Sequence, residues 1–290
     1  MYPSARSITI MGILNTTPDS FYDGGKYVGL DAAVARAVQM IEEGADIIDI
    51  GGESTGPGSK EISLDEERKR VIPVIKAMSG QPGQVAVRTG QRLTIDMSVD
   101  TYRSNVAEDA LNNGATIVND VTAGRGDPAM LPLIGERGCT YIMMRSKDDS
   151  ARTTIDERLY DDVLETIHAF FEERIAAAEA AGIKRSQMIV DPGLGHFVSS
   201  DPTYSWHILE HLEFLHDFGC RILVSPSRKS FTADFPGQAT QERLPGTLKA
   251  TALALEHGAS IIRTHDVRET KEFIERGNFA VTEPSSPKRQ

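Results

Sequence analysis

The chain has 290 residues, 40% of them hydrophobic, and a formal net charge of −11. That suffices for a sizeable core, no stretch approaches the roughly 18 consecutive apolar residues of a membrane span, and the acidity argues against a broad nucleic-acid surface, which needs spread-out Lys and Arg. The length would allow two average domains, but an α/β barrel of about 250 residues is ordinarily one.

In chain order, apolar runs recur at Ile8 to Asn15, Ala45 to Thr55, Leu93 to Asp100, Ile117 to Asp120, Thr140 to Arg145, Met188 to Gly193, Ile222 to Lys229 and Ile261 to Asp266. Each is short, rich in β-branched residues and stops in small or polar ones, as strands covered on both faces do. Helical spacing of three and four fills the gaps at Asp31 to Glu43, Leu64 to Met78, Thr101 to Asn113, Pro128 to Arg137, Ile155 to Ala181, Pro202 to Phe214, Arg243 to His257 and Val267 to Arg276. Asp127-Pro128, Ser63 with Glu66, and Asp266 with Glu269 read as helix starts. Gly44, Gly114, Gly138, Gly182, Gly219 and Gly258 read as helix stops. Strict alternation predicts a closed (β/α)8 barrel, a single domain over residues 1–277. A doubly wound open sheet is the competitor, but no Gly-x-Gly-x-x-Gly follows a strand.

Two stretches resist the pattern. Ser79 to Arg92 is too long for an ordinary αβ connection and reads as an excursion on the bottom face. Asn278 to Gln290 lacks apolar residues to anchor it and reads as a frayed tail. Met1 to Ile8 runs straight into the first strand without a signal-type apolar segment, so the cytoplasm is the expected compartment. Cys139 and Cys220 lack metal-type spacing and read as buried thiols.

Barrel chemistry lies at the C-terminal ends of the strands. There Asp100, Asn119 and Asp191 offer carboxylate and amide edges suited to a flat heterocycle with adjacent N–H donors, and Lys229 offers a donor for a ring carbonyl. Arg263 and His265 are two apart and share a face, so with Ser54 and Thr55 they could hold phosphate oxygens. Any single Asp or Asn ending a strand could instead cap the next helix, but so many together are harder to dismiss. His207 and His211, with His216 nearby, could pass for a metal face; no carboxylate is arranged to support them, and Leu209, Leu212 and Leu215 take the core side, so the expectation is a solvated or interfacial face.

Together these stretches resemble the dihydropteroate synthases. The likeness runs nearly end to end through Gly12-Ile13-Leu14-Asn15, Thr17-Pro18-Asp19-Ser20-Phe21, Gly44 to Thr55, Ser98-Val99-Asp100-Thr101, Asn119-Asp120-Val121, Asp191-Pro192-Gly193, Ser227-Arg228-Lys229-Ser230 and Arg263-Thr264-His265-Asp266. It implies condensation of 6-hydroxymethyl-7,8-dihydropterin pyrophosphate with 4-aminobenzoate, with loss of pyrophosphate, by a cytoplasmic homodimer. It also implies that Asp100, Asn119, Asp191 and Lys229 bind the pterin, that Thr55, Arg263 and His265 take the pyrophosphate, that Asp100, Lys229, Arg263 and His265 carry the chemistry, and that Asn15 holds Mg2+. Loops Thr16 to Lys26 and Ser54 to Lys60 would close over the leaving group. The sequence departs from the family's pattern on the aminobenzoate side. Gly56 stands before Pro57-Gly58 where an arginine is usual, Met143-Met144-Arg145-Ser146-Lys147 replaces the usual Met-His-Met-Arg-Gly, and Gly195-His196-Phe197-Val198 replaces Gly-Phe-Gly-Lys. Pro57, His196, Phe197, Ser227 and Ser230 are therefore expected on that side, and the His196-Phe197 stretch looks like that of sulfonamide-insensitive synthases. A methyltetrahydrofolate:corrinoid methyltransferase or a non-catalytic pterin-binding homologue are the rival readings.

Overall fold

The structure, a computed structural model, describes residues 8–16, 26–79, 84–86 and 92–277. The strands are β1 (Thr9–Asn15), β2 (Ile47–Gly51), β3 (Gln84–Ala86), β4 (Arg92–Thr94), β5 (Asp96–Asp100), β6 (Ile117–Asp120), β7 (Thr140–Met144), β8 (Met188–Asp191), β9 (Arg221–Val224) and β10 (Ile261–Thr264). The helices are α1 (Lys26–Glu43), α2 (Leu64–Met78), α3 (Ser104–Asn112), α4 (Met130–Arg137), α5 (Val163–Ala180), α6 (Pro202–Leu209), α7 (Leu244–Glu256) and α8 (Val267–Gly277). Eight parallel strands close in the order β1-β2-β5-β6-β7-β8-β9-β10 and back to β1, the expected (β/α)8 barrel. Among the described residues no helix is long and apolar enough to cross a membrane.

Side chains alternate faces along a strand, so each strand sends every second residue into the barrel. Met11, Ile47, Ile117, Ile142, Ile189, Leu223 and Ile261 meet there as a dry plug. Two residues further on, those strands present Ile13, Asp49, Asn119, Met144, Asp191, Ser225 and Arg263. The change from apolar to polar at that level marks where the packed core ends and a ligand-sized space begins. Between barrel and helices lies the larger core, with Ile48, Ile50, Val99, Val118, Phe171 and Ile262 all fully buried.

All six glycines read as helix stops have positive φ, Gly138 for instance at 65°, where any other residue would be strained. Ser63 caps α2 as expected, its side chain accepting from Glu66 N at 3.2 Å. Other boundaries moved. Leu93 to Asp100 is not one strand: β4 pairs antiparallel with β3 as a small separate hairpin, and the barrel strand begins at Asp96. The helix expected from Ile155 begins at Val163, because Asp162 caps it by accepting from Leu164 N (2.9 Å) and Glu165 N (3.0 Å). Asp127 makes the capping bond expected ahead of Pro128, its side chain accepting from Ala129 N at 2.9 Å, although the regular helix begins at Met130; it also accepts from Ser104 N. The Asp266 carboxylate is instead taken by Arg228. Both cysteines are free thiols. The expected tail from Asn278 and most of the first loop lie outside the described residues.

Candidate active site

A cavity of about 190 Å3 opens at the C-terminal ends of the barrel strands. Asn15, Ser54, Thr55, Asp100, Asn119, Asp191, Phe197, Lys229, Arg263 and His265 all line it. Residues up to 250 positions apart in the chain thus meet, as the strand-end argument expected. Pro57, His196, Ser227 and Ser230 do not line it. Pro57 points to solvent. His196 and Ser230 pair with each other, Nε2 to Oγ at 3.1 Å. Ser227 is buried behind His265, its Oγ accepting from His265 N (3.1 Å) and lying 3.0 Å from His265 Nδ1. The direction of the Ser227 Oγ–His265 Nδ1 bond follows the tautomer of the ring, since the hydroxyl can donate to Nδ1 or accept from it.

Four positions form one half. Asp191, at the end of β8, is fixed by Gly193 N at 2.8 Å. Its carboxyl is pushed up by burial, with Lys229 opposing. Lys229 is pushed down to about 8 by burial, with Asp191 opposing; its Nζ donates to Leu194 O at 3.2 Å and sits 5.0 Å from the centre of the Phe197 ring. Asn119 faces Asp100 across the β5–β6 pairing.

The other half centres on Arg263. Its guanidinium donates Nε to Asp49 Oδ2 at 2.6 Å and Nη2 to Asp100 Oδ2 at 2.7 Å, and Asn119 Nδ2 donates to the same Asp49 oxygen at 3.0 Å. Asp49 is fully buried and its Oδ1 has no partner among the described residues. The sequence reading missed Asp49 as a site residue. Its signal was an acid inside an apolar run, on the inward face with Ile47 and Gly51. Arg263, expected as a free phosphate ligand, thus has two of its nitrogens committed to carboxylates, and Nη1 is left for an anion. Burial pushes the Asp100 carboxyl up to about 7; Arg263 lowers it and Asp49 raises it further. Burial, then the charges of Arg263 and Arg228, hold His265 down to about 4, so it is neutral at physiological pH. The neighbouring Arg228 is spent on Asp266, with Nε to Oδ2 at 2.9 Å and a second, shorter contact from Nη2.

Away from the cavity, His207, Glu210 and His211 bring their ligand atoms within 4.8 Å of one another, so a carboxylate does stand beside the histidine pair. All three are exposed, as expected of a solvated face.

A family model described as pterin binding enzyme matches residues 11–265. The dihydropteroate synthase of Escherichia coli strain K12 is 40% identical over 91% of this chain and 89% of its own length. A probable bifunctional folylpolyglutamate synthase/dihydropteroate synthase of Haloferax volcanii is 42% identical over 92% of this chain, which spans only 30% of that longer protein. Among solved structures, the dihydropteroate synthase of Xanthomonas albilineans with 4-aminobenzoic acid superimposes with a TM-score of 0.83 at 36% identity, covering 94% of this chain and 92% of that one. The chain belongs to the dihydropteroate synthase family of pterin-binding enzymes.

Proposed function

We infer that the chain joins 6-hydroxymethyl-7,8-dihydropterin pyrophosphate to 4-aminobenzoate, forming 7,8-dihydropteroate and pyrophosphate. The observation that carries this is one cavity lined both by Asn119, Asp191 and Lys229 and by Thr55, Arg263 and His265, groups suited to a heterocycle edge and to an anion respectively. Asp191 and Asn119 accept from the N–H edge of the pterin while Lys229 donates to its carbonyl; a carboxylate accepts two parallel hydrogen bonds, which selects a flat ring with adjacent donors. Arg263 Nη1, the neutral His265 ring and the Thr55 hydroxyl receive the pyrophosphate. In the reaction the bond between the pterin methylene and the bridging oxygen breaks, its electron pair leaving with pyrophosphate. The resulting methylene cation is met by the negative field of Asp49 and Asp100, and the arylamine nitrogen attacks it and sheds a proton to water. Donors fixed before the reaction begins stabilise the separating charges without having to reorganise.

The metal reading fits the residues present. Asn15 offers an exposed amide at the cavity wall, and one neutral oxygen suits a hard ion that keeps its waters and takes its other ligands from substrate phosphates. Mg2+ there would withdraw charge from the departing pyrophosphate. Sulfonamide resistance belongs to the same proposal. The Phe197 ring forms part of the cavity wall beside Lys229, where a ligand bulkier than 4-aminobenzoate meets it first. A cytoplasmic homodimer is proposed on the family resemblance.

The test is complementation of a bacterial strain lacking its own dihydropteroate synthase, without folate end products in the medium. Growth is expected with the wild-type gene and not with Asp191→Asn; absence of growth with well-expressed wild-type protein would overturn the reading.

A further inference from the structure

The segment Arg145 to Asp162, between β7 and α5, is far longer than the two to six residues usual for such a loop. None of its residues lines the cavity. Its ties nonetheless run to two loops that both contribute to the cavity wall. Toward the β2–α2 loop, the Arg152 guanidinium pairs with the Glu53 carboxylate, and Thr153 N donates to Thr55 O at 3.1 Å. Toward the β8–α6 loop, Lys147 N donates to Phe197 O at 2.8 Å, and the Thr153 hydroxyl lies 2.7 Å from His196 O. Glu53, Thr55 and Phe197 all line the cavity.

Two details show that these ties hold geometry rather than merely cover surface. The Glu53 side chain is 3% exposed and carries a second cation, Arg103 Nη1 at 2.8 Å, which also pairs with buried Glu67. A carboxylate desolvated between two guanidinium groups has little freedom to move. At the cavity wall, Ala151 is buried with the lining residues Val121 and Met144, and Phe197 and Tyr102 pack against that cluster. The strap therefore sets both the backbone position of Phe197 and the packing of its ring. Thr153 stands at the junction: its hydroxyl lies 2.7 Å from both Asp148 Oδ2 and His196 O, two acceptors that share its one proton, so a single hydroxyl links the strap to the β8–α6 loop.

We propose that the β7–α5 segment is a fixed strap that sets the width of the aminobenzoate subsite between Thr55 and Phe197, with Arg152 and Thr153 as positioning residues. The proposal rests on the assigned reaction for the identity of the ligand. Its physical basis is preorganisation: walls already braced lose little further freedom when the small arylamine binds. The strap reaches the pterin half through Arg145 N, which donates to Asp191 O at 2.9 Å, and through Phe197, whereas Arg152 and Thr153 bond to Glu53, Thr55 and His196 rather than to Asp191, Asn119 or Lys229.

The experiment is calorimetric titration of 4-aminobenzoate into full-length protein preloaded with a pterin analogue, Mg2+ and pyrophosphate, with turnover measured in parallel. Arg152→Gln and Thr153→Val are each expected to raise the 4-aminobenzoate Kd and KM about tenfold, a loss of about 1.4 kcal/mol. Affinity for the pterin analogue should stay within about twofold, which also verifies the fold, and Thr153→Ser should restore wild-type values because it returns the hydroxyl. Unchanged 4-aminobenzoate affinity in both variants would overturn the strap, as would equal losses for both ligands. Failure of wild-type turnover with binding effects as expected would count against the assigned reaction and leave the strap standing.

Discussion

Replacing Lys229 with Met keeps the apolar stem but removes the cation, and it does two things to the pterin half. It deletes a charge-assisted hydrogen bond to the ring carbonyl, worth about 1.5–3 kcal/mol. It also removes the charge that opposes burial at Asp191, whose carboxyl is already raised, so that group drifts further toward its neutral form and loses an acceptor face. The combined loss is about 3 kcal/mol, over a hundredfold in affinity. The pH dependence separates this from a simple packing defect. In the wild type Lys229 loses its proton near pH 8, so pterin affinity declines above that value, and it declines again as falling pH protonates Asp191. In Lys229→Met the alkaline decline should disappear and the acid decline should move to higher pH, because Asp191 has lost its opposing charge. Calorimetry with a pterin analogue, carried from neutral pH up to 9 and down into the acid range, follows both limbs. A loss below threefold, or an alkaline limb that persists in the variant, would refute the pairing of Lys229 and Asp191 as the pterin clamp.

Asp49→Asn breaks a buried ion pair and is expected to destabilise the fold by about 3 kcal/mol, the lower end of the range because Arg263 keeps Asp100; calorimetric melting shows it as a lower Tm. Arg263→Ala should weaken the pyrophosphorylated substrate far more than the bare pterin, and omission of Mg2+ should stall turnover without abolishing pterin binding; equal losses for ester and bare pterin would count against the anion assignment. His265 is held near 4 in the fold against an ordinary 6.5, so its stabilising contribution is complete above pH 6.5 and is lost as pH falls toward 4. Urea midpoints measured across that window should lose part of their acid slope in His265→Asn. The sulfonamide inhibition constant should exceed the KM for 4-aminobenzoate by over a hundredfold in the wild type, about 3 kcal/mol, and fall sharply in Phe197→Gly; ordinary sensitivity of the wild type would remove Phe197 as the discriminating group.

The barrel was legible because two periodicities and a set of stop signals agreed: apolar runs ending at polar residues, helical spacing between them, and glycines at six of the returns from helix to strand. The polar strand ends were legible as a site for the same reason, since a closed barrel brings all of them to one mouth. Asp49 escaped because it sits inside a run read as continuously apolar, and only its inward alternation with Ile47 and Gly51 sets it apart. The strap escaped for a different reason. Ile155 to Asp162 continues the helical spacing of α5, yet the Asp162 cap ends the helix there, and the residues before it are held by contacts to loops distant in sequence. His196, expected on the aminobenzoate side, offers its carbonyl as an acceptor for Thr153. Long-range backbone partners of this kind leave no local pattern to read.

Release of pyrophosphate from 6-hydroxymethyl-7,8-dihydropterin pyrophosphate, followed in the presence and absence of 4-aminobenzoate with Mg2+ supplied, tests the assigned reaction most directly. Release should match 7,8-dihydropteroate formation mole for mole and should be lost in Asp191→Asn. Wild-type protein that binds the pterin yet liberates no pyrophosphate when 4-aminobenzoate is added would contradict it.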